Sequence, residues 1–165
     1  MKVTVGISNR HVHLTKGTYE VLFGKKDLKC KRALNQIGEF ASDETVDVEY
    51  GEKTIKNVRI VGPFRDCNQV ELLGSDAELL GIELPVRRSG DLDNTPSVNL
   101  VTDIGKCSVD GVIRAEKHVH VPTSREDELG LHERDIVKIT TSSGDEFYSN
   151  VKVSQNGFFE LHIDK

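Results

Sequence analysis

The chain has 165 residues, 22 Lys+Arg against 27 Asp+Glu, a formal net charge of −5 and 36% hydrophobic residues. That length holds one compact domain or two small ones, and no run nears the roughly 18 apolar residues of a membrane span. The acidic balance speaks against a broad nucleic-acid footprint, and Cys30, Cys67 and Cys107 are too widely spaced for a disulfide framework or a CxxC metal knuckle. A reducing, cytosolic setting is the default, and Lys2-Val3-Thr4-Val5 offers no apolar core of a secretory signal.

In chain order, Val3, Val5 and Ile7 alternate with Thr4, Gly6 and Ser8, the period-two pattern of a half-buried strand. Lys16 to Phe23 reads as a helix after Thr15, stopped near Gly24. Val46 to Tyr50, Gly51-Glu52 and Ile55 to Val61 read as a hairpin. Ser75 and Glu78 have capping-box spacing ahead of Leu79-Leu80-Gly81, and Thr123 with Glu126 repeats that spacing before Leu129-Gly130. A second hairpin follows over Ile136 to Val153, turning at Ser143-Gly144-Asp145. Asn156-Gly157 signals a tight turn before a last strand, Phe158 to Ile163. Many short strands with a few one- to two-turn helices predict a mainly β chain of two small barrels.

The chain also repeats itself. Asn9-Arg10-His11-Val12-His13-Leu14 matches Glu116-Lys117-His118-Val119-His120-Val121, and each copy leads through a short helix and a hairpin to a closing strand with Glu-Leu. The closing strands align as Val70-Glu71-Leu72 and Phe159-Glu160-Leu161-His162. The simplest reading is an internal duplication, with an extra segment around Cys30 to Phe40 in the first copy.

A His-x-His pair on a strand sets both imidazoles on one face, about 6.5–7 Å apart at Cα, within reach of a shared cation. One such pair is weak evidence. Two at equivalent places of a repeat, with His162 closing the second, favour one or two metal centres over structural histidine pairs. The turn after Gly62-Pro63 carries Arg65, whose guanidinium fork suits a phosphate or carboxylate, and Glu71 follows as an oxygen-ligand candidate. A solvated loop charge and an outward strand carboxylate are the competing readings. Pro85-Val86-Arg87-Arg88-Ser89-Gly90-Asp91 is either an anion-holding loop or a solvated one. No nucleotide fingerprint, nucleophile elbow or cysteine in a catalytic context is present.

Taken together and in order, these pieces resemble the PduL-type phosphate acyltransferases (phosphate propanoyltransferases, or phosphotransacylases). The resemblance runs through Gly6-Ile7-Ser8-Asn9-Arg10-His11-Val12-His13-Leu14, Gly38-Glu39-Phe40-Ala41, Gly62-Pro63-x-Arg65, Gln69-Val70-Glu71, Pro85-Val86-Arg87-x-Ser89-Gly90-Asp91, Ala115-x-x-His118-Val119-His120 and Leu161-His162-Ile163-Asp164. It implies two β-barrels: residues 1–9 with 116–165, where the N-terminal strand completes the C-terminal barrel, and residues 10–115. It also implies two zinc ions and acyl transfer between coenzyme A and phosphate, with propanoyl or acetyl as the acyl group. By position, His11 and His13 hold one zinc, while Glu71, His118, His120 and His162 surround the other. Arg65 is the phosphate-binding residue, and Ser8 and Arg59 lie where coenzyme A contacts are expected.

The departures from the family pattern are Ile37 for Pro, Lys117 for Arg, Ser97 for Gly and Thr102-Asp103 for Gly-Pro. They touch loop shape and acyl preference rather than the ligands. The rival readings are a zinc-dependent thioester or ester hydrolase and a non-catalytic metal-binding barrel. The expected partners are acyl-CoA and phosphate, with neither nucleic acid nor membrane, and a homodimer is left open. Encapsulated relatives carry an N-terminal amphipathic extension, which this sequence does not show, so a cytoplasmic place is expected ahead of a microcompartment lumen.

Overall fold

The computed structural model describes residues 1–24, 27–155 and 157–164. Its strands begin with β1 (Thr4–Ser8), β2 (His11–His13), β3 (Cys30–Ala33), β4 (Phe40–Tyr50), β5 (Lys53–Gly62), β6 (Gln69–Glu71) and β7 (Val86–Arg87). They continue with β8 (Val98–Val101), β9 (Lys106–Val109), β10 (Val112–Ala115), β11 (His118–Pro122), β12 (Ile136–Thr140), β13 (Glu146–Ser154) and β14 (Glu160–Asp164). The helices are α1 (Lys16–Phe23), α2 (Gly74–Leu80) and α3 (Glu126–Leu129), so the chain is mainly β. Of the Asn156-Gly157 turn signal, Asn156 lies outside the described residues.

Contacts divide the chain into two units. One comprises Met1–Ser8, Asn35–Ile37 and Glu116–Lys165, and the other comprises Asn9–Leu34 and Gly38–Ala115. The first holds a sheet of order β1-β14-β11-β13-β12, and the second holds β7-β10-β6-β2-β5-β4-β8-β9, with β3 on β4. The run β10-β6-β2-β5-β4 has the same order and strand senses as β1-β14-β11-β13-β12. The sequence is parallel, antiparallel, parallel and antiparallel in both.

Their registers differ from the alignment expected for the closing strands. His11 faces Glu71 and His13 faces Gln69, whereas His118 faces His162 and His120 faces Glu160. Glu71 is therefore the positional counterpart of His162, and Gln69 that of Glu160. The shared Glu-Leu dipeptides mislead by two residues, a whole pleat repeat, which keeps the same face and so leaves the hydrophobic pattern unchanged.

The local signals explain most boundaries. The Thr15 hydroxyl accepts the Thr18 N–H at 3.1 Å, and Gly24 closes α1 in the left-handed region at φ +60°. The cap expected at Ser75 sits two residues earlier instead, and only the Asp76 half of a box forms. Leu73 caps α2, and its N–H donates to Asp76 Oδ2 at 2.9 Å. Asp76 is held there because the same carboxylate takes Arg10 in a bidentate pair, Nε at 3.0 Å and Nη2 at 2.7 Å. The Thr123–Glu126 signal yields a 3₁₀ turn over Thr123–Arg125 before α3, with no side-chain cap. The last strand starts at Glu160, not Phe158.

Because Asp76 is buried and satisfies three donors, Asp76→Ala is expected to lower unfolding stability by about 2–3 kcal/mol in urea titrations. A loss below about 0.5 kcal/mol, the range of an ordinary surface change, would contradict the tie between β2 and α2.

The core of the larger unit is built on Val12, Leu14, Tyr19, Leu22, Val46, Val48, Ile60 and Leu100. The other unit buries Val119, Val121, Val151 and Leu161, with Val137, Ile139, Phe147 and Ile163 packed around them. Val12 and Val119, the middle residues of the two His-x-His pairs, point into these cores. Alternation then turns the flanking histidines together onto the opposite face.

Two candidate metal centres

In the larger unit the His11 and His13 rings meet edge to face, with centroids 4.9 Å apart. β6 runs antiparallel beside them and sets Glu71 across from His11, its Oε2 3.5 Å from His11 Nε2. One donor atom from each of His11, His13 and Glu71 lies within 4.8 Å of the others. His11 Nδ1 lies 2.9 Å from the Asn9 carbonyl, and His13 Nδ1 lies 3.1 Å from the Val61 carbonyl. A carbonyl only accepts, so each Nδ1 carries the proton and Nε2 is the lone-pair nitrogen. Backbone contacts of this kind fix the tautomer of metal-ligating histidines.

In the smaller unit His118, His120 and His162 form a second group within the same 4.8 Å limit. The Glu116 carbonyl takes His118 Nδ1 at 2.8 Å, which again leaves Nε2 as the lone-pair nitrogen. That Nε2 lies 3.0 Å from His120 Nε2. Phe158 stacks on the His120 ring at 5.0 Å between centroids. The bare Cα of Gly6 lies under the group, since a Cβ there would stand 2.7 Å from Glu160 Oε2 and 2.9 Å from His162 Nε2.

The described residues do not satisfy His120. If its Nε2 carries the proton, His118 accepts it, but the buried His120 Nδ1 then has no hydrogen-bond partner among the described residues. If Nδ1 carries it, two lone pairs face each other at 3.0 Å. A cation shared by the rings relieves that conflict. Neutral imidazoles with a carboxylate are also the donor chemistry of a borderline metal such as zinc, so both groups fit the ion.

Burial pushes the His120 pKa down to about 3, with help from His118, His162 and Lys152. Between pH 6.5 and about 3 the unfolded chain binds a proton at this side chain that the native chain does not. Stability of the metal-free protein is therefore whole above pH 6.5 and falls as the pH drops, by about 1.4 kcal/mol per pH unit from this group. Urea midpoints of zinc-free wild type and His120→Gln from pH 7 to 4 check this. The variant should lose part of the acid dependence, and equal slopes would contradict it.

The remaining candidates are placed as follows. Arg65 sits in the turn after β5, where its N–H bonds the Leu14 carbonyl at 3.0 Å, one residue past His13. Asn68 in the same turn accepts the Thr15 N–H at 2.9 Å and donates to the Thr18 hydroxyl at 3.0 Å, so the turn is pinned to the β2–α1 connection. Arg65 Nη2 reaches Glu39 Oε1 at 2.7 Å. Phe40 pairs with Gly62 in the β4–β5 register, which brings Glu39 to this turn. Arg59 is exposed on β5 beside His11, and half-buried Ser8 ends β1 opposite Asp164.

Glu71 groups with His11 and His13. The cause is strand order: β6 borders β2. Cys30 and Cys67 are exposed, Cys107 is partly buried, and none belongs to either group. His132 lies outside both groups, its Nδ1 3.7 Å from Glu126 Oε1. Spacing alone missed Glu39, Gln69 and Glu160. The last two could have been found, since each stands two residues before a ligand candidate and shares its face.

Comparison with known proteins gives these geometries a context. A family model described as phosphate propanoyltransferase matches residues 4–165. A phosphate propanoyltransferase of Levilactobacillus brevis is 38% identical over 99% of this chain and 80% of its own length. One from Thermotoga maritima is 38% identical over 98% of the chain and 80% of the relative. One from Salmonella typhimurium is 36% identical, again over 98% and 80%.

Proposed function

The chain belongs to the phosphate propanoyltransferase family, and from that premise we propose that it is a zinc-dependent enzyme interconverting short-chain acyl-CoA plus phosphate with acyl phosphate plus CoA. Propanoyl and acetyl are the acyl groups it would take. The observation that carries this reading is the end of β2, where His11, His13 and Glu71 converge and Arg65 is hydrogen-bonded one residue farther on.

His11, His13 and Glu71 would hold one zinc, and His118, His120 and His162 the other. Zinc supplies Lewis acidity toward a carbonyl and affinity for a thiolate. Everything else falls to the chain. Glu39 fixes one edge of the Arg65 guanidinium, and phosphate takes N–H donors on the rest of the fork. Held there, a phosphate oxygen attacks the thioester carbon, the C–S bond breaks with its electrons on sulfur, and CoA leaves as the thiolate. Much of the acceleration is proximity and orientation of two bound reactants. Attack is direct, for no cysteine stands in either histidine group.

Arg59 and Ser8 are the proposed contacts for coenzyme A, and exposed Arg59 can meet its phosphates. A net charge of −5 is no obstacle, because the attraction is local to the arginines and the metal.

Thiol release from propanoyl- and acetyl-CoA, followed with and without phosphate on the zinc-loaded chain, tests the proposal. Release should stay at background without phosphate and rise with its concentration. Equal release in its absence would make the protein a thioester hydrolase.

A further inference from the structure

We infer that Gln69 is the positioning residue of Glu71, holding one oxygen of its carboxylate so that only the other faces the histidines. The inference rests on the metal reading above and asks how this chain prepares that ligand.

Gln69 stands two residues before Glu71 on β6, opposite His13, and is 1% exposed. Its amide makes three contacts. Gly90 N–H donates to Oε1 at 2.8 Å, while Nε2 donates to Glu71 Oε1 at 2.5 Å and to the Ser89 hydroxyl at 2.9 Å. A backbone N–H needs an acceptor, so Gly90 decides which way the amide points, and its NH₂ must face Glu71. Gly90 offers that N–H from φ +95°, a conformation natural to glycine. The Ser89-Gly90 loop therefore spends its amide on Gln69 rather than on an anion.

The consequence is a carboxylate with distinct oxygens. Oε1 is taken by a short, charge-assisted bond, and Oε2 lies 3.5 Å from His11 Nε2. Glu71 is thus set to bind through Oε2 alone.

The other centre shows why an amide is required here. Where the larger unit has Gln69 and Glu71, the smaller has Glu160 and His162, and Glu160 Oε2 lies 3.0 Å from His162 Nε2. A carboxylate suits an imidazole neighbour, whereas beside Glu71 it would set like charges together. The two centres exchange both members of the pair and keep each pair complementary.

The test is zinc affinity at each centre of the full chain, measured by competition with a chromophoric chelator, for wild type, Gln69→Met and Ser89→Ala. Methionine keeps the length of glutamine and removes its donors. Gln69→Met should hold one zinc at wild-type affinity and the other about 10–100-fold more weakly. Ser89→Ala leaves the amide in place and should weaken the same zinc about threefold, so it decides the matter if Gln69→Met does not fold. A merely structural Gln69 would lower the melting temperature of the zinc-free chain and leave the two affinities as in wild type, which would overturn the inference alone. A wild-type chain holding a single zinc that His11→Ala retains would overturn the metal reading of this centre, and the inference with it.

Discussion

Arg65→Ala is expected to lower kcat/KM for phosphate about 10²–10³-fold, because it removes the group that binds and orients the attacking phosphate. Zinc content should stay at the wild-type level, because Arg65 is outside both donor groups. Folding should be little affected: the pair with Glu39 is partly exposed, at 29% and 18%, and such pairs contribute at most about 1 kcal/mol. Arg65→Lys should recover only part of the rate, since an ammonium restores charge without the planar fork. Phosphate saturation curves of thiol release distinguish these outcomes. A variant that keeps the wild-type phosphate dependence would remove Arg65 from the reaction, while equal loss in Arg65→Ala and Glu39→Ala would mean that the ion pair acts as one unit.

Removal of zinc is the second large perturbation. Exhaustive chelation should bring phosphate-dependent thiol release to background, and zinc should restore it. Stability should also fall, because a ligand at a thousand times its Kd stabilises the native state by about 4 kcal/mol. The loss should concentrate in the smaller unit. Its fully buried apolar set is Val119, Val121, Val151 and Leu161, a thin core beside the one that holds Tyr19, Leu22, Ile60 and Leu100. A small core leans on other staples, and a metal shared by His118, His120 and His162 would tie β11 to β14. Hydrogen exchange on the chelated protein should show β11 and β14 amides opening sooner than those of β4 and β5. Unchanged exchange in all four strands would contradict a stabilising metal.

Much of this fold could be read from local pattern. The cap at Thr15, the stop at Gly24 and both hairpins depend on neighbours a few residues apart, and the structure has them. Long-range terms escaped. Nothing near Ser75 reveals that Asp76 must also hold Arg10, 66 residues away, so the local signal points two residues late. The same holds at the sites. Period two makes the His-x-His pairs legible, since alternation is a property of any strand. Which carboxylate joins which pair depends on strand order, and that order puts β6 next to β2. The repeat itself was visible, but its closing strands were matched on Glu-Leu, and only the ladder registers show Glu71 in the place of His162. The reaction is legible only through family resemblance, because Arg65 taken alone reads more readily as a solvated loop charge.

The most direct measurement is the product. Zinc-loaded protein, propanoyl-CoA and phosphate can be followed by phosphorus NMR while released thiol is counted in the same sample. One acyl phosphate should form for each thiol released, with both falling together in Arg65→Ala. Thiol release accompanied by free carboxylate and an unchanged phosphate signal would contradict it.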